Sequence, residues 1–527
     1  MQPVGTADEK AMLARLNGVP ALLILMVLIL IGTAWRLGLG EFKGEEGRRA
    51  IAAREMISSG DGVVPTVWGE PYLNKPPGYP WAVAASTIVT GEVNPLTVRI
   101  PAYLSFVGLA VVLFFLGRRW GGNEGGLLTS FLFVSSIEMQ KKAMIGETDL
   151  MLTLGIAVYA LAMLDREWKV RHLFLACGGL LIAGFAKGPA ALPFVAGLIL
   201  CRFLRDGYSL RGLVFSVGPP IFMGASLGLW YLLVQNRLAE IDVLTYWQSE
   251  TLRNRKGDPA LFSSRHMLEF ALGSVLGMIP AVLVLLEPKR WLSSWREKHW
   301  PKAAILASLG VPSLIFFFWP DTQPRYLLPL MPILCFWAGT YLISCQEGLG
   351  IRIFSFLLRT LLCLGAVGVF IEAWWGTSQQ VMDLTLSAAW GITVWTLATL
   401  GIALIPENRC RVLSAGALSR ILLLLFSVSV IQLVWIVPIR TAETPAGDFA
   451  GWVEERVPES ETVWVAVDDH WNELATIQRS LRGRSLAPAE GAGGWILEEV
   501  PDNRNQDSWR LKNKWVSLKP WTQEGSK

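Results

Sequence analysis

The residues best suited to chemistry lie in segment 41–81, which follows the first long apolar stretch of the chain. The segment brings carboxylates and cations into close succession: Glu45, Glu46, Arg48, Arg49 and, within Asn74-Lys75-Pro76-Pro77, Lys75. A carboxylate can accept a proton from an attacking group. Arginine holds a phosphate through paired hydrogen bonds, and lysine holds it as a point charge. The segment therefore has the side chains that group transfer from a phosphate-linked carrier needs.

A structural interpretation of the same residues stays open. The spacing of apolar residues from Glu45 to Ile57 predicts a helix. In that helix Glu45 lies three residues from Arg48 and four from Arg49, the spacing of ion pairs worth about 0.2–0.5 kcal/mol each. Lys75 could instead extend its amine toward lipid headgroups. The two prolines after Lys75 restrict the backbone and favour a fixed direction for its side chain.

A second group of charges lies at 141–149, just before another apolar run. Asp149 opens that run, where it either stabilises the start of a helix through the helix dipole or takes part in catalysis. Glu147 is the nearest alternative to Asp149 for a catalytic role.

Two further cations stand at junctions between apolar runs, Lys187 in Ala186-Lys187-Gly188-Pro189 and Arg325 in Pro324-Arg325-Tyr326. A lysine next to hydrocarbon needs a partner, so Lys187 either closes a short hairpin or binds an anion. Arg325 either anchors to headgroups beside aromatic residues or is another anion ligand.

The composition indicates a membrane protein. The chain has 527 residues, 52% hydrophobic and 17% charged, against about 25% charged in soluble proteins. Its apolar runs can cross a hydrocarbon core of about 30 Å as helices. We expect about thirteen transmembrane helices, the first retained after synthesis, at approximately 19–37, 96–116, 124–140, 149–165, 172–187, 189–205, 212–236, 267–287, 301–319, 325–343, 353–375, 384–406 and 418–439. A net charge of +4 argues against a nucleic-acid partner.

Loop charge predicts the orientation of these helices. Lysine and arginine collect in alternate loops, beginning with Arg118-Arg119, and such loops stay in the cytoplasm. We therefore expect an inner-membrane protein with a cytoplasmic N-terminus. The external segments are then 38–95, 141–148, 237–266 and the C-terminal part. All six cysteines fall in spans or on the cytoplasmic side, so we expect no disulfide framework.

The chain divides near residue 440. Residues 1–440 form the predicted transmembrane domain, whose first external loop contains an interfacial helix near 77–90. In residues 441–527, the pattern predicts a short amphipathic helix at 448–457 and strands at 462–467 and 495–500. We predict an all-α polytopic membrane protein with a small extracytoplasmic α/β C-terminal domain docked on it.

The first-loop residues resemble those of a known family. The strings Gly44-Glu45-Glu46-Gly47-Arg48-Arg49, Gly69-Glu70-Pro71-Tyr72 and Lys75-Pro76-Pro77 look like the first external loop of glycosyltransferase family 39. That family and its relatives include protein O-mannosyltransferases and bacterial lipid A aminoarabinose transferases, all with the GT-C fold. The segments around Asp149, Lys187 and Arg325 follow in the same order, and the resemblance covers about residues 20–345.

The resemblance implies a polyprenyl-phosphate-linked sugar as donor, of the undecaprenyl-phosphate type, and transfer by a single displacement with inversion on the outer face. The acceptor would be a lipid such as lipid A, a protein or a cell-envelope glycan. Glu45 takes the place of the family's usual loop aspartate, Glu46 is its acidic neighbour, and Asp149 matches the second acidic position. The residues expected to bind the donor phosphate are Arg48, Lys75, Lys187 and Arg325. The residues expected to contact other parts of the substrate are Arg49, Tyr72 and Tyr326.

A divalent metal is the cofactor that the resemblance leaves open. Asn74 stands where some relatives have an acidic residue that helps to hold a metal, and its neutral amide argues against a metal here. Glu147 and His266 are the remaining candidate ligands, and no Cys/His cluster accompanies them in the sequence.

Two other function classes fit part of the pattern. A transporter or flippase of polyprenyl-phosphate-linked sugars would bind the same carrier, but it should place ionisable residues deep in several spans and have related halves. Few charges here lie deep in the predicted spans, and they cluster at the external rim, which favours an enzyme that works there. A membrane anchor that serves a functional C-terminal domain would depend on Asp468-Asp469-His470.

Overall fold

The computed structural model describes residues 40–165, 169–238, 264–286, 301–319 and 322–344 without interruption. It also describes parts of 356–371 and 449–457, five strands between 463 and 520, and a few single positions. Several predictions fall wholly or mostly outside the described residues. They are the span at 418–439, most of the spans at 19–37 and 384–406, most of loop 237–266, the side chain of His266 and the cluster 468–470.

The first loop folds into two helices and a small hairpin. Helix α1 (Glu46–Ser59) ends at Gly60, whose φ of 70° is the left-handed conformation that terminates many helices. Strands β1 (Thr66–Val67) and β2 (Glu70–Pro71) pair antiparallel, and helix α2 (Gly78–Thr90) follows the two prolines. Both helices predicted in this loop are therefore confirmed.

Helices dominate the rest of the chain to residue 344. Their bounds are α3 Pro95–Val134, α4 Ile137–Ala143, α5 Asp149–Met163, α6 Val170–Lys187, α7 Leu192–Asp206, α8 Leu210–Arg237, α9 Ser264–Gly277, α10 Lys302–Phe318 and α11 Leu330–Ser344. Short 3₁₀ turns lie at Gly188–Ala191, Ala281–Leu286 and Pro324–Leu327. Among the described residues, Pro95–Val134, Val170–Asp206 and Leu210–Arg237 are long and apolar enough to cross a membrane, and four shorter apolar helices accompany them.

Helix α3 is a hairpin of two limbs. Gly121 and Gly122 leave the helical conformation, and Gly122 has a φ of 64°. The chain then runs back along the first limb. The Ser130 hydroxyl of the second limb donates to the Ala110 carbonyl of the first at 2.7 Å. The two limbs agree with the spans predicted at 96–116 and 124–140, except that the second limb ends at Val134 and α4 is a separate helix.

The other predicted spans within the described residues agree with helices, with one exception. Helices α5, α6, α7, α8, α10 and α11 match their predicted spans to within a few residues. The span predicted at 267–287 is interrupted, because α9 ends at Gly277 and a 3₁₀ turn begins only at Ala281. Pro280 lies in this break. Its backbone nitrogen carries no hydrogen and so cannot donate the hydrogen bond that would continue a helix.

Charged side chains gather at both ends of the bundle. At one end, Asp165 contacts Arg119 at 2.7 Å and His172 at 3.3 Å, and Arg202 donates to the Met163 carbonyl at 2.8 Å. The opposite ends of α5 and α6 hold a second charged group, which contains the predicted site residues. Because both helices contribute to both groups, α5 and α6 are antiparallel.

The C-terminal strands form one mixed sheet. Strands β3 (Val463–Ala466), β4 (Leu486–Ala487), β5 (Trp495–Val500), β6 (Ser508–Leu511) and β7 (Lys514–Pro520) lie in the order β4-β3-β5-β7-β6. Strand β3 pairs parallel with β4 and β5, and β7 pairs antiparallel with β5 and β6. The strands predicted at 462–467 and 495–500 are confirmed.

The sheet shares buried apolar residues with the first loop. One cluster joins Ala50 and Ala53 of α1 with Leu497 of β5 and Val516 of β7. Trp452 and Trp509 extend it, with ring centroids 5.9 Å apart. The C-terminal residues therefore support the helix that begins beside Glu45.

Candidate active site

A cavity of about 640 Å³ lies where the first loop meets the helix ends. Its polar lining residues are Asn74, Lys75, Asp149, Lys187, Arg325 and Tyr326. Its apolar lining includes Leu152, Leu192, Ile315, Phe316 and Trp319. Three cations thus face one carboxylate, beside an apolar wall. Such a cavity suits a ligand with an anionic head and an apolar chain.

Close backbone contact brings Lys75 to Lys187. A Cβ at Gly78 would lie 2.6 Å from the carbonyl oxygen of Phe185, so only glycine lets the start of α2 approach α6 this closely. Gly188, which follows Lys187, has a φ of 60° and lies beside the Pro76 ring. The glycines therefore seat the turn that carries Lys75 against the end of α6.

Lys75 is the cavity cation whose positive charge is least balanced by nearby carboxylates. Burial of its amine, followed by the charges of Arg49 and Lys187, holds the pKa of Lys75 well below its usual range, although Asp149 and Glu45 oppose the shift. Within the part of the chain that the structure describes, no carboxylate lies within 4.0 Å of this amine. An anion entering the cavity would supply the missing partner.

Asp149 is held by two lysines. Its Oδ1 accepts a hydrogen bond from the Lys187 amine at 2.5 Å, and its Oδ2 lies 3.4 Å from the Lys142 amine. Lys187 also lies 4.8 Å from the centre of the Tyr326 ring. The structure thus brings together three predicted residues, but two ammonium groups stabilise the charged carboxylate of Asp149 and make it a poor proton acceptor.

Glu147 connects the same group to Arg325. Its Oε2 accepts a hydrogen bond from Lys142 at 2.5 Å, and its Oε1 lies 3.7 Å from Arg325 Nη1. About a tenth of the Glu147 side chain is exposed. Glu147 therefore serves two cations in this structure.

Glu45 lies at the edge of this charged group. Its carboxylate is 3.3 Å from Arg48 Nη1, and 38% of its side chain is exposed. Arg48 in turn lies 5.6 Å from the centre of the Tyr72 ring. Glu45 does not line the cavity itself, but its charge is close enough to raise the pKa of Lys75. It is the predicted carboxylate with access to solvent and a single ion-pair partner among the described residues.

Glu46 has a different environment from its neighbour. It is fully buried, and its two oxygens accept hydrogen bonds from Arg99 at 2.8 and 2.9 Å. Its Oε1 also accepts from the Gly146 amide at 2.7 Å, and its Oε2 accepts from the Lys43 amide. The structure thus does not bring Glu46 to the cavity. Its carboxylate joins α1 to α3 and to the loop that carries Glu147.

Arg49 is also buried and holds the same loop. Its Nε donates to the Gly146 carbonyl at 3.1 Å, and its guanidinium lies 5.5 Å from the centre of the Tyr79 ring. Only 3% of the residue is exposed. The structure therefore places Arg49 behind Lys75, where it acts on the cavity through its charge and not through direct contact.

Sequence reasoning missed two residues that organise the site. Arg99 lies inside the apolar start of α3, and a charge in such a run signals a buried partner. Lys142 follows Lys141 in the charged segment 141–149, and it contacts both Glu147 and Asp149. The sequence does not say which of two adjacent lysines faces inward.

Glu147 and His266 are the candidate metal ligands that the sequence offers. Within the described segments, no three His, Cys, Asp or Glu side chains lie close enough to share an ion. Asn74 lines the cavity with a neutral amide. The candidate Glu147 is already engaged by Lys142 and Arg325.

Known proteins resemble this chain in sequence. The family model described as dolichyl-phosphate-mannose-protein mannosyltransferase matches residues 74–207. The undecaprenyl phosphate-alpha-4-amino-4-deoxy-L-arabinose arabinosyl transferase 2 of Proteus mirabilis is 25% identical over 340 residues, which are 62% of this chain and 59% of that protein. The corresponding transferase of Pseudomonas savastanoi pv. phaseolicola is 26% identical over 67% of each chain. The match thus spans about three fifths to two thirds of these relatives.

Solved structures extend the likeness to nearly the whole chain. ArnT from Cupriavidus metallidurans in the apo state has a TM-score of 0.70 at 16% identity, covering 94% of this chain and 97% of that one. The same protein bound to undecaprenyl phosphate has a TM-score of 0.68 at 15% identity, covering 95% and 98%. The chain therefore has the GT-C fold, and its resemblance to the family 39 glycosyltransferases, of the lipid A aminoarabinose transferase kind, is confirmed.

Proposed function

We propose that this protein is an integral membrane glycosyltransferase that moves a sugar from a polyprenyl-phosphate donor to an acceptor on the outer face of the membrane. The observation that carries the proposal is the cavity in which Lys75, Lys187 and Arg325 face one carboxylate beside an apolar wall. A polyprenyl phosphate has the matching chemistry, an anionic head on a hydrocarbon chain. The activities for which the sequence relatives are named, and the undecaprenyl phosphate bound to ArnT, support this donor class.

The reaction that fits these groups is a single displacement. An acceptor hydroxyl or amine attacks the anomeric carbon of the sugar, and a carboxylate accepts its proton. The bond between that carbon and the phosphate oxygen breaks, and the electron pair leaves with the polyprenyl phosphate. The donor is a phosphodiester with one negative charge, whereas the leaving phosphate gains a second. Cations fixed around the phosphate therefore stabilise the transition state more than the bound donor.

Glu45 is the carboxylate that we propose as the base. Asp149 is occupied by two lysines and Glu46 by four hydrogen bonds. Glu45 has one ion-pair partner at 3.3 Å and is more than a third exposed, so an acceptor can reach it. Asp149 instead fixes Lys187 at the cavity, and Arg48 extends the cationic surface next to Glu45.

The charges at the bundle ends support the proposed orientation. The end opposite the cavity carries Arg119, Arg171, Arg202 and Arg205 close to Asp165 and Asp206. An excess of arginine at helix ends is typical of the cytoplasmic side. The cavity would then face the periplasm or exterior, with the C-terminal residues 441–527 as a small domain above it. We propose an inner-membrane protein of about thirteen spans with this orientation.

The proposal predicts which lipids accompany the protein. We expect mass spectrometry of the protein purified from its native membranes to detect polyprenyl phosphate and its sugar-linked form. With that donor in proteoliposomes, adding acceptor should release free polyprenyl phosphate in proportion to the sugar transferred. A transporter or flippase would move the donor between leaflets and leave its sugar attached, and this outcome would contradict the proposal.

Donor binding should weaken as pH rises. The lowered pKa of Lys75 means that its amine loses its proton at a lower pH than an exposed lysine, and the neutral amine attracts no phosphate. A phosphodiester keeps a single charge from pH 6 to 10, so titrating donor affinity over this range isolates the protein's contribution. The Lys75→Arg variant stays charged and should show a flatter profile. Equal slopes for both proteins would contradict the assignment.

A further inference from the structure

Five charged side chains form an alternating row that links two cavity cations. Lys187 contacts Asp149 at 2.5 Å, and Asp149 lies 3.4 Å from Lys142. Lys142 contacts Glu147 at 2.5 Å, and Glu147 lies 3.7 Å from Arg325. The row joins α4, α5, α6 and the 3₁₀ turn Pro324–Leu327. Lys142 is its centre, yet it does not line the cavity and only 11% of its side chain is exposed.

We propose that Lys142 is a positioning residue for the phosphate of the lipid carrier. From outside the cavity lining, it neutralises Glu147 and Asp149. The cationic groups of Arg325 and Lys187 therefore stay available to a ligand. This inference rests on the proposed function, because the cavity cations matter only if an anion binds there.

The charge balance of the row explains why its centre matters. With Lys142 present, three cations share two carboxylates, and the row has a net charge of +1. Without Lys142, two cations and two carboxylates remain, and the row is neutral. Glu147 would then draw Arg325 closer than the present 3.7 Å, because ionic attraction is strong where water is excluded. Arg325 and Lys187 alone would then balance the charge of the two carboxylates, and both would attract the phosphate less.

Lys141 provides a matched control. It is adjacent in sequence and identical in chemistry, but it is exposed. In the described part of the chain it forms no ion pair within 4.0 Å. A general effect of removing one lysine from this region would appear in both variants, whereas loss of positioning should appear in one.

The test measures binding of farnesyl phosphate to the protein in lipid nanodiscs by isothermal titration calorimetry. Lys142→Met should raise the Kd at least about tenfold, the scale of breaking a buried charge contact. Lys141→Met should leave the Kd unchanged. The double variant Lys142→Met/Glu147→Gln removes the carboxylate that captures Arg325, so its Kd should return to within about threefold of wild type. A purely structural role for Lys142 would not produce this recovery.

Two results would overturn the inference. One is an unchanged Kd for Lys142→Met, and the other is an equal loss in the single and double variants. Thermal unfolding of each variant identifies a folding defect. If Lys142→Met does not fold, the double variant is compared with Glu147→Gln instead. A Kd of the double variant about ten times that of Glu147→Gln overturns the inference. Failure of the proposed function gives a different result: the wild-type protein itself would then bind no farnesyl phosphate. If the wild-type protein binds it and only the pattern among the variants differs, the positioning role alone fails.

Discussion

Replacing Lys75 with alanine is expected to reduce sugar transfer by about 10²–10³-fold, the usual effect of removing one fixed donor from a developing negative charge. Among the described residues, Lys75 lines the cavity without a carboxylate within 4.0 Å, so its charge is available to the phosphate. The cost of desolvating its amine, which lowers the pKa, is already met in the folded protein. The loss should therefore fall on turnover as well as on donor affinity, because the leaving phosphate carries more charge than the donor.

The measurement is steady-state transfer with a polyprenyl-phosphate sugar, separated into kcat and KM for the donor. Lys75→Arg keeps the charge and should retain part of the activity, although a guanidinium does not match the geometry of an ammonium. Lys141→Ala removes an exposed lysine of helix α4 and should behave as wild type. Near-normal turnover of Lys75→Ala, with an unchanged melting temperature, would place the phosphate elsewhere.

Sequence pattern predicted the helices near the site because their signals are local. Helix α1 carries a periodic row of small and apolar residues and a terminating glycine, and α2 follows a pair of prolines. Asp149, Lys187 and Arg325 stand at the ends of apolar runs, and Lys75 lies in the first external loop. The alternation of spans therefore places all four at one end of the bundle. The cavity gathers these four residues although 250 positions separate the first from the last.

The division of roles within adjacent pairs could not be read from the sequence. Glu45 and Glu46 are identical in charge and neighbours in the chain, but one is 38% exposed and the other is fully buried against Arg99. The same holds for Lys141 and Lys142. Lys141 and Lys142 are successive residues of α4, and such residues point about 100° apart. Glu45 is the residue before α1, and Glu46 is the first residue of that helix. Only tertiary packing decides which member of each pair faces inward. The interruption of the span at 267–287 was missed because its composition remains apolar through Pro280.

Replacing Glu45 with glutamine should reduce kcat by about 10²–10⁴-fold, the contribution typical of a general base. Glutamine keeps the size and hydrogen-bonding ability of the side chain but cannot accept the acceptor's proton. Donor affinity should stay the same or increase, because the substitution removes a negative charge near Arg48 and Lys75. This combination separates a base from a residue that only orients Arg48, whose loss would raise the donor KM and leave kcat nearly intact.

Two further variants distinguish Glu45 from Asp149 as the base. Glu45→Asp restores a carboxylate with a side chain shorter by one methylene, so it should recover part of the lost turnover, limited by the displaced oxygen. Asp149→Asn should instead weaken donor binding, because Lys187 loses the partner that holds it at 2.5 Å. If Asp149→Asn lost turnover at unchanged donor affinity while Glu45→Gln remained active, proton transfer would belong to Asp149. The lysines around Asp149 would then have to move when substrate binds. Because Lys142 and Lys187 both contact Asp149 in the present structure, the geometry favours Glu45 as the base.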